Sequence, residues 1–185
     1  MPKLLRKTEF GNPILRTVPQ ILSNAEIRST DIQRLIEDMY YTLEHRKYGV
    51  GIAAPQVGHS VAISTIDTKP TPTRPDLVRQ KLTIINPEII KTYGEKSEEW
   101  EGCISGTELY AKVPRYKRLR LRWHDAQAHV HEQDFDGFLA HVIQHEVDHL
   151  NGVLFVDKVE DTKSYKTFKE YMKMRKQEQK LQANR

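Results

Sequence analysis

Apolar residues repeat at helical spacing in three segments of the chain. Ile32, Leu35, Ile36, Met39 and Leu43 share one helix face. Thr30-Asp31-Ile32-Gln33 resembles a capping box, so a helix is predicted from Thr30 to about Arg46. Phe138, Leu139, Val142, Ile143, Val147 and Leu150 repeat in the same way, with Asp136 as N-cap, Gly137 opening the turn and Gly152 as the stop. A last helix is predicted over about 164–181, its apolar stripe being Tyr165, Phe168, Tyr171 and Met172. Alternation with a period of two is clearest in Arg118-Leu119-Arg120-Leu121-Arg122-Trp123. Val61–Ile66, Leu82–Ile85, Glu88–Tyr93 and His129–Phe135 also have strand character. Gly11-Asn12-Pro13 is turn chemistry, 49–58 a glycine-bounded loop, and 67–81, with Pro70, Pro72 and Pro75, an exposed loop. Strands grouped ahead of a buried helix, with helices at both ends, predict an α+β fold. Antiparallel or mixed sheets would pack around the helix at 138–150, with one helix N-terminal and one C-terminal.

Composition narrows the setting. At 185 residues, without an internal repeat, one domain spanning 1–185 is expected. The chain is 38% hydrophobic and 29% charged, and no apolar run approaches the length of a membrane span. Met1-Pro2-Lys3-Leu4-Leu5-Arg6 lacks the apolar stretch of a signal peptide, so a cytoplasmic location with no membrane partner is expected. Cys103 is the single cysteine, which excludes an intrachain disulfide and suits a reducing compartment. The net charge of +4 is fed by Lys163, Lys166, Lys169, Lys173, Arg175, Lys176 and Lys180. A solvated helix face explains such a run, and contact with RNA, as on a ribosome, is the sharper alternative; no DNA partner is expected.

The segment predicted as a buried helix carries Gln144-His145-Glu146-Val147-Asp148-His149, an H-E-x-x-H pattern. Histidines at i and i+4 share a helix face, so both imidazoles can reach one divalent ion. Glu146 places a carboxylate where a metal-assisted hydrolysis needs a general base. Two incidental histidines on a core helix are the bland alternative. A catalytic ion needs a third protein ligand and an open position. His141 fails, because it lies eight residues from His149, roughly 12 Å along the axis at about 1.5 Å per residue. Glu160, close to the motif in a polar turn, is a poor substitute. Cys103, in Glu101-Gly102-Cys103-Ile104-Ser105, is the better candidate, since a thiolate with two imidazoles suits Zn²⁺ or Fe²⁺. A buried, inert cysteine is the competing reading.

Three segments together carry a family resemblance. Gly49-Val50-Gly51-Ile52-Ala53-Ala54-Pro55-Gln56, Glu101-Gly102-Cys103-Ile104-Ser105 and Gln144-His145-Glu146-Val147-Asp148-His149-Leu150 resemble the signature motifs of peptide deformylases, in the family's order and near its spacing. Gly11-Asn12-Pro13-Ile14-Leu15-Arg16 and Gly152-Val153-Leu154-Phe155 extend the likeness over about residues 1–160. The resemblance implies a hydrolase that frees formate from the N-formylmethionine of new polypeptides. It implies Cys103, His145 and His149 as metal ligands, with Fe²⁺ as the native ion and Zn²⁺, Ni²⁺ or Co²⁺ as replacements. Glu146 would be the general base and acid, with the Gln56 side chain and the Ile104 backbone N–H donating to the developing oxyanion. Glu101 paired with Arg115 would brace the cysteine segment. Gly49, Val50, Gly51 and Gly102 would border the substrate. Glu99, Trp100, Phe138, His141 and Val142 would lie at its side-chain pocket. Asp148 is a candidate partner for His149, or else faces solvent.

The chain departs from the family pattern in places. Gly106-Thr107-Glu108 replaces an aliphatic residue and a proline, implying a looser loop. Tyr110 stands where many relatives carry arginine. His141 and Glu99 put polar groups near a pocket that is apolar in relatives, implying an altered side-chain preference. Two alternatives stand beside deformylation. One is a zinc endopeptidase, the common use of H-E-x-x-H. The other is a non-enzymatic, metal-stabilised protein docking on the ribosome.

Overall fold

The computed structural model describes residues 1–46, 48–70, 75–106 and 108–183. Positions 71–74 of the expected loop, and Thr107, lie outside the described residues. Among the described residues, six strands form one antiparallel sheet: β1 (Gly51–Ala53), β2 (Ile63–Asp67), β3 (Lys81–Gly102), β4 (Leu109–His124), β5 (Val130–Asp136) and β6 (Lys166–Thr167). The first five follow one another in spatial order, and β6 adds to the start of β4. The helices are α1 (Asn24–Ile27), α2 (Thr30–Glu44), α3 (Gly137–His149) and α4 (Phe168–Ala183). The α+β class and the buried central helix agree with the sequence pattern.

The differences have local causes. Helix α2 is capped by Ser29, whose Oγ accepts from Ile32 N at 3.4 Å, one residue ahead of the expected Thr30 cap. The stretch expected to be a plain loop at 49–58 contains β1, which pairs Gly51–Ala53 with Ser64–Ile66. Leu82–Ile85 and Glu88–Tyr93 are not separate strands but parts of β3, which runs on to Gly102. Asn86 and Pro87 hide that continuity by breaking the alternation. Asn86 takes φ +50° at a bulge, and its side chain bonds the Leu22 backbone at 2.9 and 2.7 Å. At the other end, Lys166-Thr167 is captured by the β4 edge, so α4 begins at Phe168 and Tyr165 falls outside it.

Two apolar clusters fix the layers. Helix α2 sets Leu35, Met39 and Leu43 against Ile52, Ile63 and Ile85. Helix α3 sets Ala140, Ile143 and Val147 against Ile66, Ile84, Leu119 and Leu121. Each fully buried aliphatic side chain contributes about 1.5–3 kcal/mol. That apolar surface anchors α3 although His141, Gln144, Glu146 and His149 are buried on the same helix. Gly137, at φ +56°, makes the left-handed step from β5 into α3 that a side-chain-bearing residue would resist. Gln144 pins α3 to β4, donating to Tyr116 O at 2.9 Å and accepting from Tyr116 N at 3.2 Å.

Candidate metal centre

Cys103 sits just past the end of β3, in the turn that leads into β4. That turn is closed by Gly106 N donating to Cys103 O at 3.0 Å. Gly106 is buried against Phe10 and Phe155, while Thr107, in the middle of the segment expected to be looser, lies outside the described residues. Strand pairing of Gly102 with Tyr110 and the packing of α3 on β4 carry the sulfur to the helix. His145 and His149 stand one turn apart on α3, their rings edge to face at 4.9 Å. Donor atoms of Cys103, His145 and His149 all lie within 4.8 Å of one another, the one such grouping among the described residues. Ligands of a tetrahedral ion at about 2.0–2.3 Å stand roughly 3.5 Å apart. Cys103 Sγ and His149 Nε2, at 3.3 Å, already have that separation. One sulfur and two imidazole nitrogens therefore fit a borderline divalent ion.

A buried carboxylate orients the first histidine. Glu101 Oε2 accepts from His145 Nδ1 at 2.6 Å, which turns Nε2 toward the sulfur. Arg115 grips Glu101 with Nε on Oε1 at 2.8 Å and Nη2 on Oε2 at 3.1 Å, and both residues are buried. The third arginine contact goes to Asp148 Oδ2 at 2.5 Å. Asp148 thus serves Arg115, neither bonding His149 nor facing solvent alone, because successive helix residues point about 100° apart. His141 Nε2 lies 2.8 Å from Glu101 Oε1, a close approach off the line of a directed hydrogen bond. Although burial works against the Glu101 carboxylate, charge on His145, the His141 ring beside it, and hydrogen bonds from His145 and Arg115 hold it well below the usual range. Burial likewise opposes the Cys103 thiolate, yet the imidazoles of His149 and His145 hold the thiol well below the ordinary cysteine range. His145 is raised well above a free histidine against its burial, by Glu101 and by Cys103. The site draws positive charge, whether proton or metal ion.

Two further groups face the same space. Gln56 is fixed by Ala53 N donating to its Oε1 at 2.8 Å, which aims Nε2 at Cys103 Sγ, 3.0 Å away. Glu146 is buried, and burial raises its carboxyl, offset in part by His145, His149 and a hydrogen bond from Ser64. Ser64 Oγ stands 2.7 Å from Glu146 Oε2 and 2.9 Å from Ile52 O. A Cβ at position 51 would fall 2.2 Å from Glu146 Oε1, so Gly51 is what lets the carboxylate lie there.

These groups border a cavity of about 110 Å³. Gly49, Val50, Gly51, Trp100, Gly102, Ile104, Phe138, His141 and Val142 line it with Gln56, Cys103, His145 and Glu146. Glu99 borders an adjoining cleft with Ser97, Tyr116, Lys117, Phe138 and His141, the last two of which also line the first cavity. Tyr48, Tyr171 and Ser64 were not singled out from the sequence as site residues. The available signals were a hydroxyl inside an apolar strand run for Ser64 and the apolar stripe for Tyr171. Among the described residues, no helix is long and apolar enough to cross a membrane.

Known proteins resemble the chain in sequence and fold. The sequence profile of the family described as polypeptide deformylase matches residues 6–165. A peptide deformylase of Leptospira biflexa is 37% identical over 161 residues, covering 85% of this chain and 88% of the relative. Peptide deformylase 2 of a Nostoc species is 36% identical over 174 residues, covering 94% and 96%. Among solved structures, the Met-Ala-Ser-bound class I type b peptide deformylase from Acinetobacter baumannii superposes with a TM-score of 0.82 at 34% identity, covering 86% of this chain and 100% of that one. The Thermotoga maritima peptide deformylase gives 0.76 at 32% identity, covering 85% and 99%.

Proposed function

The chain belongs to the polypeptide deformylase family, metal-dependent enzymes that remove the N-formyl group from new polypeptides, and we propose that the reaction runs in the cavity shared by Cys103, His145, Glu146 and Gln56. The observation that carries this reading is the convergence of one sulfur and two imidazoles beside a buried carboxylate and an aimed carboxamide. Cys103, His145 and His149 would hold the ion, Fe²⁺ in the native enzyme, with Zn²⁺, Ni²⁺ or Co²⁺ able to replace it. When bound, the ion supplies Lewis-acid activation of water near neutral pH.

The chain's own residues do the rest. Glu146 takes a proton from water as the new C–O bond forms at the formyl carbon. Gln56 Nε2 and the Ile104 N–H donate to the formyl oxygen as it gains charge. When the C–N bond breaks, Glu146 returns the proton to the departing amine nitrogen, leaving formate and a free amino terminus. Glu101, clamped by Arg115, keeps the His145 ring in its tautomer and orientation. Gly49, Val50, Gly51 and Gly102 border the peptide, while Trp100, Phe138, His141 and Val142 surround the leading side chain. The Met-Ala-Ser ligand of the Acinetobacter relative supports an amino-terminal methionine as that residue. The setting is the cytoplasm, where formylated chains emerge. Exposed Lys169, Lys173, Lys176 and Lys180 of α4 form a basic face for the ribosome, and cosedimentation at low salt that is lost at high salt is its signature.

Formate release from formyl-Met-Ala-Ser by metal-loaded protein prepared without oxygen tests the reading. Glu146→Ala should keep the metal and the fold and lose at least about a hundredfold in turnover. Full activity in that variant, or cleavage of internal peptide bonds without formate release, overturns it.

A further inference from the structure

Helix α4 lies beyond the residues matched by the family profile, which end at 165, yet it forms part of the wall of the reaction cavity. The sequence brings it there by edge pairing. Leu109 pairs with Thr167 and Tyr110 with Lys166, and Phe168 N donates to Glu108 O at 2.7 Å. The helix therefore starts beside Tyr110. Phe168 and Tyr171, three residues apart, share the face that turns inward. Tyr171 is 3% exposed and stacks on Tyr110, with ring centres 4.3 Å and planes 8° apart. It also meets Trp100 at 5.5 Å, and Phe168 meets Tyr48 edge-on at 5.1 Å.

Tyr48, Trp100, Tyr110 and Tyr171 all line the cavity that holds Cys103 and Glu146. One side of that space is polar and reactive, and the other is a set of aromatic rings. Its volume of about 110 Å³ is that of only about four waters, so the room beside the rings is tight. A space of that size, closed by one stacked ring from α4, registers the loss of that ring directly.

Resting on the deformylase reading, we propose that Tyr171 is a specificity-determining residue: with Tyr110 and Trp100 it forms an aromatic wall that selects formylated residues with a long, unbranched apolar side chain. A thioether packs well against ring edges, and a charged side chain would lose its hydration there without a compensating partner.

The test compares KM and kcat of the metal-loaded full chain on formyl-Met-Ala-Ser and formyl-Gly-Ala-Ser. Tyr171→Ala should raise KM for the methionyl peptide about tenfold, with kcat within about twofold and metal content unchanged. KM for the glycyl peptide, which has no side chain to lose contacts, should move less than about threefold. Tyr171→Phe should restore the methionyl KM. If Tyr171→Ala does not fold, Tyr171→Leu keeps an apolar side chain in place and should raise the methionyl KM by about threefold or more. Equal KM shifts for both peptides, or no shift while formate is still released, overturn the role of Tyr171. Absence of formate release by the unmutated chain instead overturns the reaction itself.

Discussion

At the scale of single residues, the site depends on groups whose partners are distant in sequence. Ser64 has one hydroxyl proton and two acceptors, Ile52 O and Glu146 Oε2. It is the hydrogen-bonding group on the proposed base, Glu146, that no motif announces, since its partner lies 82 residues away. Ser64→Ala leaves the buried carboxylate without that donor, a loss of about 1–2 kcal/mol. Turnover should fall roughly tenfold, with KM and metal content unchanged; unaltered kcat would refute the positioning. Gln56→Leu removes the donor proposed for the formyl oxygen and should cost about 100-fold or more in kcat with metal retained; a fully active variant would remove Gln56 from the mechanism. His145, Glu146 and His149 were legible because helical spacing alone places both imidazoles on one face. Cys103 was legible as a candidate by elimination and then by the family's motif. Asp148 was not, because its partner Arg115 arrives from β4.

Among the elements, periodic segments were readable and edge segments were not. Helices α2 and α3 follow from apolar repeats, and β4 from its alternation. Strands β1 and β6 are three and two residues long and owe their conformation to the neighbours they pair with, which no local pattern reveals. The turn between β4 and β5 offers a test at this scale. Asp125 accepts from Gln127 N at 2.8 Å, His129 N at 2.9 Å and His131 Nε2 at 2.8 Å. Burial works against its charge, yet the His131 hydrogen bond and the two backbone donors bring its pKa down to about 2. A carboxylate depressed on folding stabilises fully above its unfolded pKa, near 3.8, and loses that contribution as pH falls toward 2. Asp125→Ala should therefore lower stability by about 1 kcal/mol at pH 6, after screening at this partly exposed turn. The gap should narrow steadily below pH 4 and close only as the pH falls below about 2 in urea melts; a gap that widens in acid would contradict it.

Over the whole molecule, function rests on one long-range meeting. Pairing of β3 with β4 fixes the turn that carries Cys103, and packing of α3 on β4 sets both histidines opposite it. Neither contact is local, so composition and periodicity give the parts without their assembly, and only the joint presence of three motifs made the assembly legible. The aromatic wall from α4 was legible as an apolar stripe but not as part of the site, because its position depends on β6. X-ray absorption on protein loaded with Zn²⁺ reads that meeting at the ion itself. One sulfur at about 2.3 Å and two imidazole nitrogens at about 2.0–2.1 Å are expected, with the sulfur lost in Cys103→Ser. A ligand shell without sulfur in the unmutated chain would contradict it.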